Sequence, residues 1–229
     1  MSASVFETWV FDLDNTLYPA TVDLFSQIDR RMKAFISRTL GLPPDEAFRL
    51  QKKYYHEYGT SLRGLMQEHG VDPAAFLADV HDIDHSVLSP DPVLAAALGR
   101  ISARKIVFTN GSTDHATRVL EHLGLAGQFD AIQDIVASDY VPKPQIAPYE
   151  RLLATHGIDP TRAVMVEDIE KNLVPAAALG MTTVLVRNDV HWSAREGQAA
   201  EADGLGHCHH VTDCLPQWLT AWLDGAGVP

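Results

Sequence analysis

With 229 residues, 46% of them hydrophobic, the chain can bury the core of one large α/β domain or of a core carrying a modest insertion. Its formal net charge of -12 argues against a nucleic acid polymer as main partner, because such binding relies on clustered Lys and Arg. Cys208 and Cys214 form no disulfide framework, no apolar run nears the roughly 20 residues of a membrane span, and Met1 to Thr8 lacks the basic and apolar regions of a secretion signal, so a cytoplasmic setting with no membrane partner is expected.

Thr8 to Phe11 reads as the first strand, ending in Asp12-Leu13-Asp14. From Tyr18 to about Pro90 the spacing turns helical, with Leu24, Ile28, Met32, Phe35 and Ile36 on one face. Turn signals at Gly41-Leu-Pro-Pro-Asp and Gly70-Val-Asp-Pro punctuate it, and Ser89-Pro-Asp-Pro marks the return. Residues 18–89 are therefore expected to form an inserted helical cap, and 1–17 with 90–229 the core. Further strands are expected at Lys105 to Phe108, Ala163 to Val166 and Thr183 to Val186. A surface loop over Asp189 to Gly206 precedes an edge strand at His209-His210-Val-Thr-Asp and a helix from Leu215. The spacing of His207, Cys208, His209, His210 and Cys214 fits no usual zinc pattern, which favours the edge strand over a metal site.

Strands alternating with helices imply a parallel sheet, and near-continuous apolar strands imply burial on both faces. The expected fold class is α/β, a doubly wound, three-layer, Rossmann-like arrangement. Ligands of such sheets sit at the carboxyl ends of strands. There the sequence gathers Asp12-Leu13-Asp14, Thr109-Asn110 and Glu167-Asp168. Two carboxylates so close crowd negative charge at a sheet edge, and Mg2+ suits such a site through its preference for oxygen ligands.

Taken together, Asp12-Leu-Asp14, Phe108-Thr109-Asn110-Gly111, Lys143-Pro144 and Val166-Glu167-Asp168-Ile-Glu-Lys-Asn172 resemble, in order, the motifs of haloacid dehalogenase superfamily phosphatases. The resemblance implies a magnesium-dependent hydrolase of small phosphomonoesters, in which Asp12 attacks phosphorus and Asp14 serves as general acid and base. Thr109 and the Asn110 amide would hold a phosphate oxygen and Lys143 would offset charge. Asp168 would bind the metal beside the Asp12 carboxylate and the Asp14 carbonyl oxygen. Glu167 is a second ligand, a water-mediated contact or a partner of Lys143, and Asn172 supports Lys143 or the metal shell or is an ordinary helix residue. Asp14 fits a phosphatase better than a dehalogenase, whose motif resembles Asp-x-Tyr. A sugar-phosphate phosphatase, a phosphomutase and a non-catalytic nucleotide binder remain open.

Within the superfamily, Asp-Leu-Asp-Asn-Thr-Leu-Tyr18 and Tyr55-His-Glu-Tyr58-Gly-Thr-Ser-Leu-Arg63-Gly-Leu resemble pyrimidine 5'-nucleotidases, which implies a nucleoside monophosphate. Tyr18, Tyr55, Tyr58 and Arg63 are then candidate substrate contacts, with the cap tyrosines equally able to pack the cap's own helices. The assembly is expected to be a monomer or a homodimer.

Overall fold

The computed structural model describes residues 6–187 and 205–225. Strands β1 (Thr8–Phe11), β2 (Arg104–Phe108), β3 (Ala131–Gln133), β4 (Ala163–Glu167), β5 (Thr182–Val186) and β6 (His210–Thr212) form one parallel sheet in the order β3-β2-β1-β4-β5-β6. Helices α1 (Leu24–Leu40), α2 (Pro44–Tyr58), α3 (Ser61–His69) and α4 (Pro73–Val80) lie between β1 and β2 in the chain, before α5 (Pro92–Arg100). Then come α6 (Thr113–His122), α7 (Ile146–His156), α8 (Glu170–Ala178) and α9 (Leu215–Leu223).

Side chains alternate across the sheet with a period of two, and the two faces separate cleanly. Trp9, Phe11, Val107, Val164, Val166, Val184 and Val186 pack on α5, α6 and α9. Their neighbours Val10, Ile106, Phe108, Ala163, Met165 and Leu185 pack on α7 and α8. Burial on both faces is why these strands carry few polar residues, and it makes the expected three-layer α/β core.

The inserted helices have a core of their own, in which Ile28, Ile36, Ala47, Tyr54, Leu65, Phe76 and Val80 meet. Their ends fall where the turn residues put them. Gly41 closes α1 at φ 66° and Gly70 closes α3 at φ 63°, a backbone region that a side chain disfavours, while Pro44 and Pro73 open the following helices. Gly64 is needed for another reason: a Cβ there would collide with the ring base of Tyr54, so α2 and α3 approach closely only because position 64 has no side chain.

Strand β3 has no counterpart in the sequence reading, because three residues with a polar last position give too short a pattern to register. The edge strand from His210 and the helix from Leu215 form as expected. The loop expected at Asp189 to Gly206 falls largely outside the described residues. Among the described residues no helix is long and apolar enough to cross a membrane.

Candidate active site

Strands β1, β2 and β4 are neighbours, and their carboxyl ends bring the candidate residues together. Asp12 follows β1 directly, anchored by its amide donating to the Val166 carbonyl at 2.9 Å. Its Oδ2 accepts from Thr16 Oγ1 at 3.0 Å and its Oδ1 from Lys143 Nζ at 2.6 Å. Lys143 is 2% exposed and spends its three N–H bonds on Asp12 Oδ1, Glu167 Oε2 at 2.6 Å and the Phe108 carbonyl at 2.9 Å. Of the three roles left open for Glu167, the contact observed is this one with Lys143.

Asn110 fixes the backbone from which Lys143 reaches in. Its Oδ1 accepts from the Lys143 amide at 2.9 Å and its Nδ2 donates to the Lys143 carbonyl at 3.3 Å, a reciprocal pair that sets the loop against the end of β2. Thr109 Oγ1 accepts from the Gly111 amide at 2.9 Å, which leaves its hydroxyl hydrogen for another acceptor.

Asp12, Glu167 and Asp168 offer carboxylate oxygens within 4.8 Å of one another. One ammonium faces three carboxylates. Burial foremost, and then repulsion from Glu167, raise Asp12 to about 7 against the pull of Lys143; Asp168 is raised well above its ordinary value by burial, Glu167 and Asp12. An all-oxygen donor set with uncompensated negative charge fits a hard divalent cation such as Mg2+.

Asp14 sits in a different setting. Its Oδ1 accepts from the Tyr18 hydroxyl at 2.6 Å and lies 2.9 Å from Nε2 of His115, which is wholly buried. Burial would raise this carboxyl, but His115 and Tyr18, helped by His81, hold it down to about 2. His81 stacks on His115 at 4.5 Å between ring centroids, and its Nδ1 is 2.9 Å from Ser112 Oγ, the cap of α6. His115 and His81 carry no motif-level signal. His115 lies in the first turn of α6, so only the start of that helix at Ser112 hinted that it faces the site.

A cavity of about 150 Å³ runs from these groups into the inserted helices. Asp12, Asp14, Thr109, Asn110, Lys143, Glu167, Asp168 and Asn172 line one end. Tyr55 of α2 lines the cavity as well, with Lys171 Nζ donating to its hydroxyl at 3.0 Å and standing 4.5 Å from its ring centroid. Tyr18 touches the site through Asp14, without lining the cavity. Tyr58 and Arg63 are not among the lining residues: Tyr58 donates to Glu68 and Arg63 to the Tyr140 carbonyl. Tyr54 is buried in the helical core.

The model of the haloacid dehalogenase-like hydrolases matches residues 6–180, from before the first strand to the end of α8. The chain belongs to that family. Among curated relatives, phosphate metabolism protein 8 of Saccharomyces cerevisiae is 29% identical over 78% of this chain and 61% of its own length, so the chain spans less than two thirds of that protein. A glyceraldehyde 3-phosphate phosphatase of Methanothermobacter thermautotrophicus is 26% identical over 85% of this chain and 91% of its own. Among solved structures of the fold, CbbY of Rhodobacter sphaeroides, solved in complex with phosphate, superposes with a TM-score of 0.64 at 19% identity, over 96% of this chain and 99% of that one. Asp12 and Asp14 follow the central strand β1, where the sheet is paired on both sides, with β2 and with β4.

Proposed function

We propose that the chain hydrolyses small phosphomonoesters of the sugar-phosphate type through a phosphorylated Asp12. The observation that carries this is the unlike setting of two neighbouring carboxylates. Asp12 is gripped by Lys143 beside an acidic cluster, and Asp14 is oriented by two donors on one of its oxygens. That division is what a nucleophile and an acid–base group need.

In the first half-reaction an Asp12 oxygen bonds to phosphorus, the ester P–O bond breaks, and the leaving oxygen takes a proton from Asp14. In the second, water attacks phosphorus and gives its proton to Asp14. The Asp12–phosphorus bond breaks and inorganic phosphate leaves. With Tyr18 and His115 both on Oδ1, the proton moves through Oδ2. A phosphate anion entering beside Asp14 raises its proton affinity, so binding of substrate favours the acid form that the first step requires. The Lys143 charge offsets that of the nucleophile and phosphoryl group, and the Thr109 hydroxyl donates to a phosphoryl oxygen. A divalent cation held by the carboxylates of Asp12 and Asp168 and the Asp14 carbonyl would add electrostatic screening between nucleophile and phosphate.

Helices α1–α4, within residues 18–89, act as the cap that covers the leaving group. The sugar-phosphate reading is supported by the relative named a glyceraldehyde 3-phosphate phosphatase. A nucleoside monophosphate is the second reading, favoured by Tyr55 in the cavity wall, although Lys171 already stands over that ring. Phosphate release from triose, pentose and hexose phosphates and from CMP, UMP and AMP, with and without magnesium, tests the assignment. Faster turnover of the nucleotides than of every sugar phosphate would reverse the order of the two readings, and full activity of Asp12→Asn would remove the mechanism.

A further inference from the structure

At the helical end of the cavity one buried amide has hydrogen-bonding capacity to spare. Gln51 of α2 is 2% exposed and lines the same cavity as Asp12, Asp14 and Lys143. Its Nε2 donates to Asp29 Oδ1 at 2.7 Å and lies 3.7 Å from Met32 Sδ. Because the partner is a carboxylate, the amide can face it only with its nitrogen; turned over, two acceptors would oppose each other. Oε1 is thereby fixed. It is buried and accepts no hydrogen bond from any described residue.

The support around Gln51 is firm. Ser61 Oγ donates to the Gln51 carbonyl at 2.9 Å, and Lys52 Nζ stands 3.0 Å from the Asp29 oxygen that receives Nε2. The apolar part of the lining, Phe25, Ile28, Met32, Phe76, Leu77 and Val80, has no side-chain donor to offer. A buried acceptor without a partner is costly and uncommon. The missing donor is one that the cavity's occupant can bring.

We infer that Gln51 is a specificity-determining residue. Its Oε1 accepts a hydrogen bond from a hydroxyl on the end of the substrate away from phosphorus, and so selects polyhydroxylated phosphomonoesters over esters that are apolar at that end. This rests on the phosphatase reading above and adds the feature recognised at the other end of the substrate. A site built to pair with a substrate donor rejects analogues lacking it, because its own buried group is then left unpaired.

The test uses the full chain with magnesium and compares glycerol 3-phosphate and ribose 5-phosphate with propyl and pentyl phosphate of matching length. CMP and p-nitrophenyl phosphate are added as further arms. Wild type is expected to favour the hydroxylated esters. Gln51→Leu and Gln51→Met are expected to raise KM for those esters by about tenfold and so to shrink the preference for hydroxylated over alkyl esters. Equal kcat/KM for hydroxylated and alkyl esters in wild type overturns the inference even if neither variant folds. So does a uniform loss across all esters in the variants, or a loss confined to CMP, which would assign the donor to a base amino group. Absence of phosphate release from every ester, p-nitrophenyl phosphate included, defeats the phosphatase reading itself; release without discrimination defeats only the role of Gln51.

Discussion

His115 Nε2 and Asp14 Oδ1 stand 2.9 Å apart, and because Asp14 is held ionised it can only accept, so His115 carries its proton on Nε2. The Tyr18 hydroxyl meets the same oxygen, which locks the rotation of the carboxylate. His115→Ala is expected to lower kcat by about 100-fold, the cost of a misplaced acid–base group, with KM much less affected. Steady-state kinetics on two unrelated phosphate esters check this. An unchanged kcat would remove His115 from the positioning of Asp14.

Lys143 pairs with two buried carboxylates at once. Burial works against its charge, yet Asp12 and Glu167 more than offset this and raise its proton affinity. Lys143→Met should therefore abolish phosphate release and destabilise the fold by about 3–5 kcal/mol, the cost of stranding buried charge. Urea unfolding measures the second effect. A variant as stable as wild type would show that the carboxylates find other compensation.

The acidic cluster predicts a response to metal. Chain treated with EDTA should lose phosphate release and melt at lower temperature, and magnesium should restore both. At a hundredfold excess over the dissociation constant the gain is about 2.7 kcal/mol. In Asp168→Asn the melting shift should shrink strongly. An identical shift in that variant would place the cation elsewhere.

Acid should loosen the histidine stack. Burial, followed by repulsion from His115, pushes His81 from 6.5 to about 3. The unfolded chain takes up a proton below pH 6.5 that the folded chain refuses until about pH 3, so stability falls as pH drops through that window. Above it the contribution is nil. Asp12 acts in the opposite sense, since its raised carboxyl binds a proton more readily when folded. The two are separated by comparing wild type with His81→Leu between pH 7.5 and 4.5: the Asp12 trend is common to both and cancels. The variant is expected to lose less stability towards acid by about 1–3 kcal/mol, given about 1.4 kcal/mol per tenfold change in proton affinity.

Gly64→Ala should destabilise the inserted helices by about 1–3 kcal/mol, because the new methyl overlaps Tyr54 in a packed core. Circular dichroism melting reads the effect. A neutral outcome would mean that α2 and α3 separate without penalty.

The central strands were legible because they are buried largely on both faces and carry apolar residues with few interruptions. The same pattern located Asp12, Asp14, Thr109, Glu167 and Asp168 at strand ends. That Asp12, Glu167 and Asp168 meet in one acidic cluster followed from those strand ends together with the resemblance to the phosphatase motifs. What the sequence concealed depends on contacts between distant segments. His115 and Asp14 are 101 residues apart, and nothing local to either announces the other. Gln51 and Asp29 lie on different helices and matter only because α1 and α2 pack together. Tyr54, Tyr55 and Tyr58 looked alike in sequence, yet helical rotation sends Tyr54 into the core and Tyr55 into the cavity wall.

Strand β1 is paired along its whole length with β2 on one side and β4 on the other. Amides so placed exchange with solvent only when the whole domain opens, whereas Gln51 belongs to helices whose core is largely their own. Mild denaturant should then open the discriminating end of the cavity before the reactive end, so that the chain passes through a range in which it still cleaves phosphate esters but no longer chooses among them.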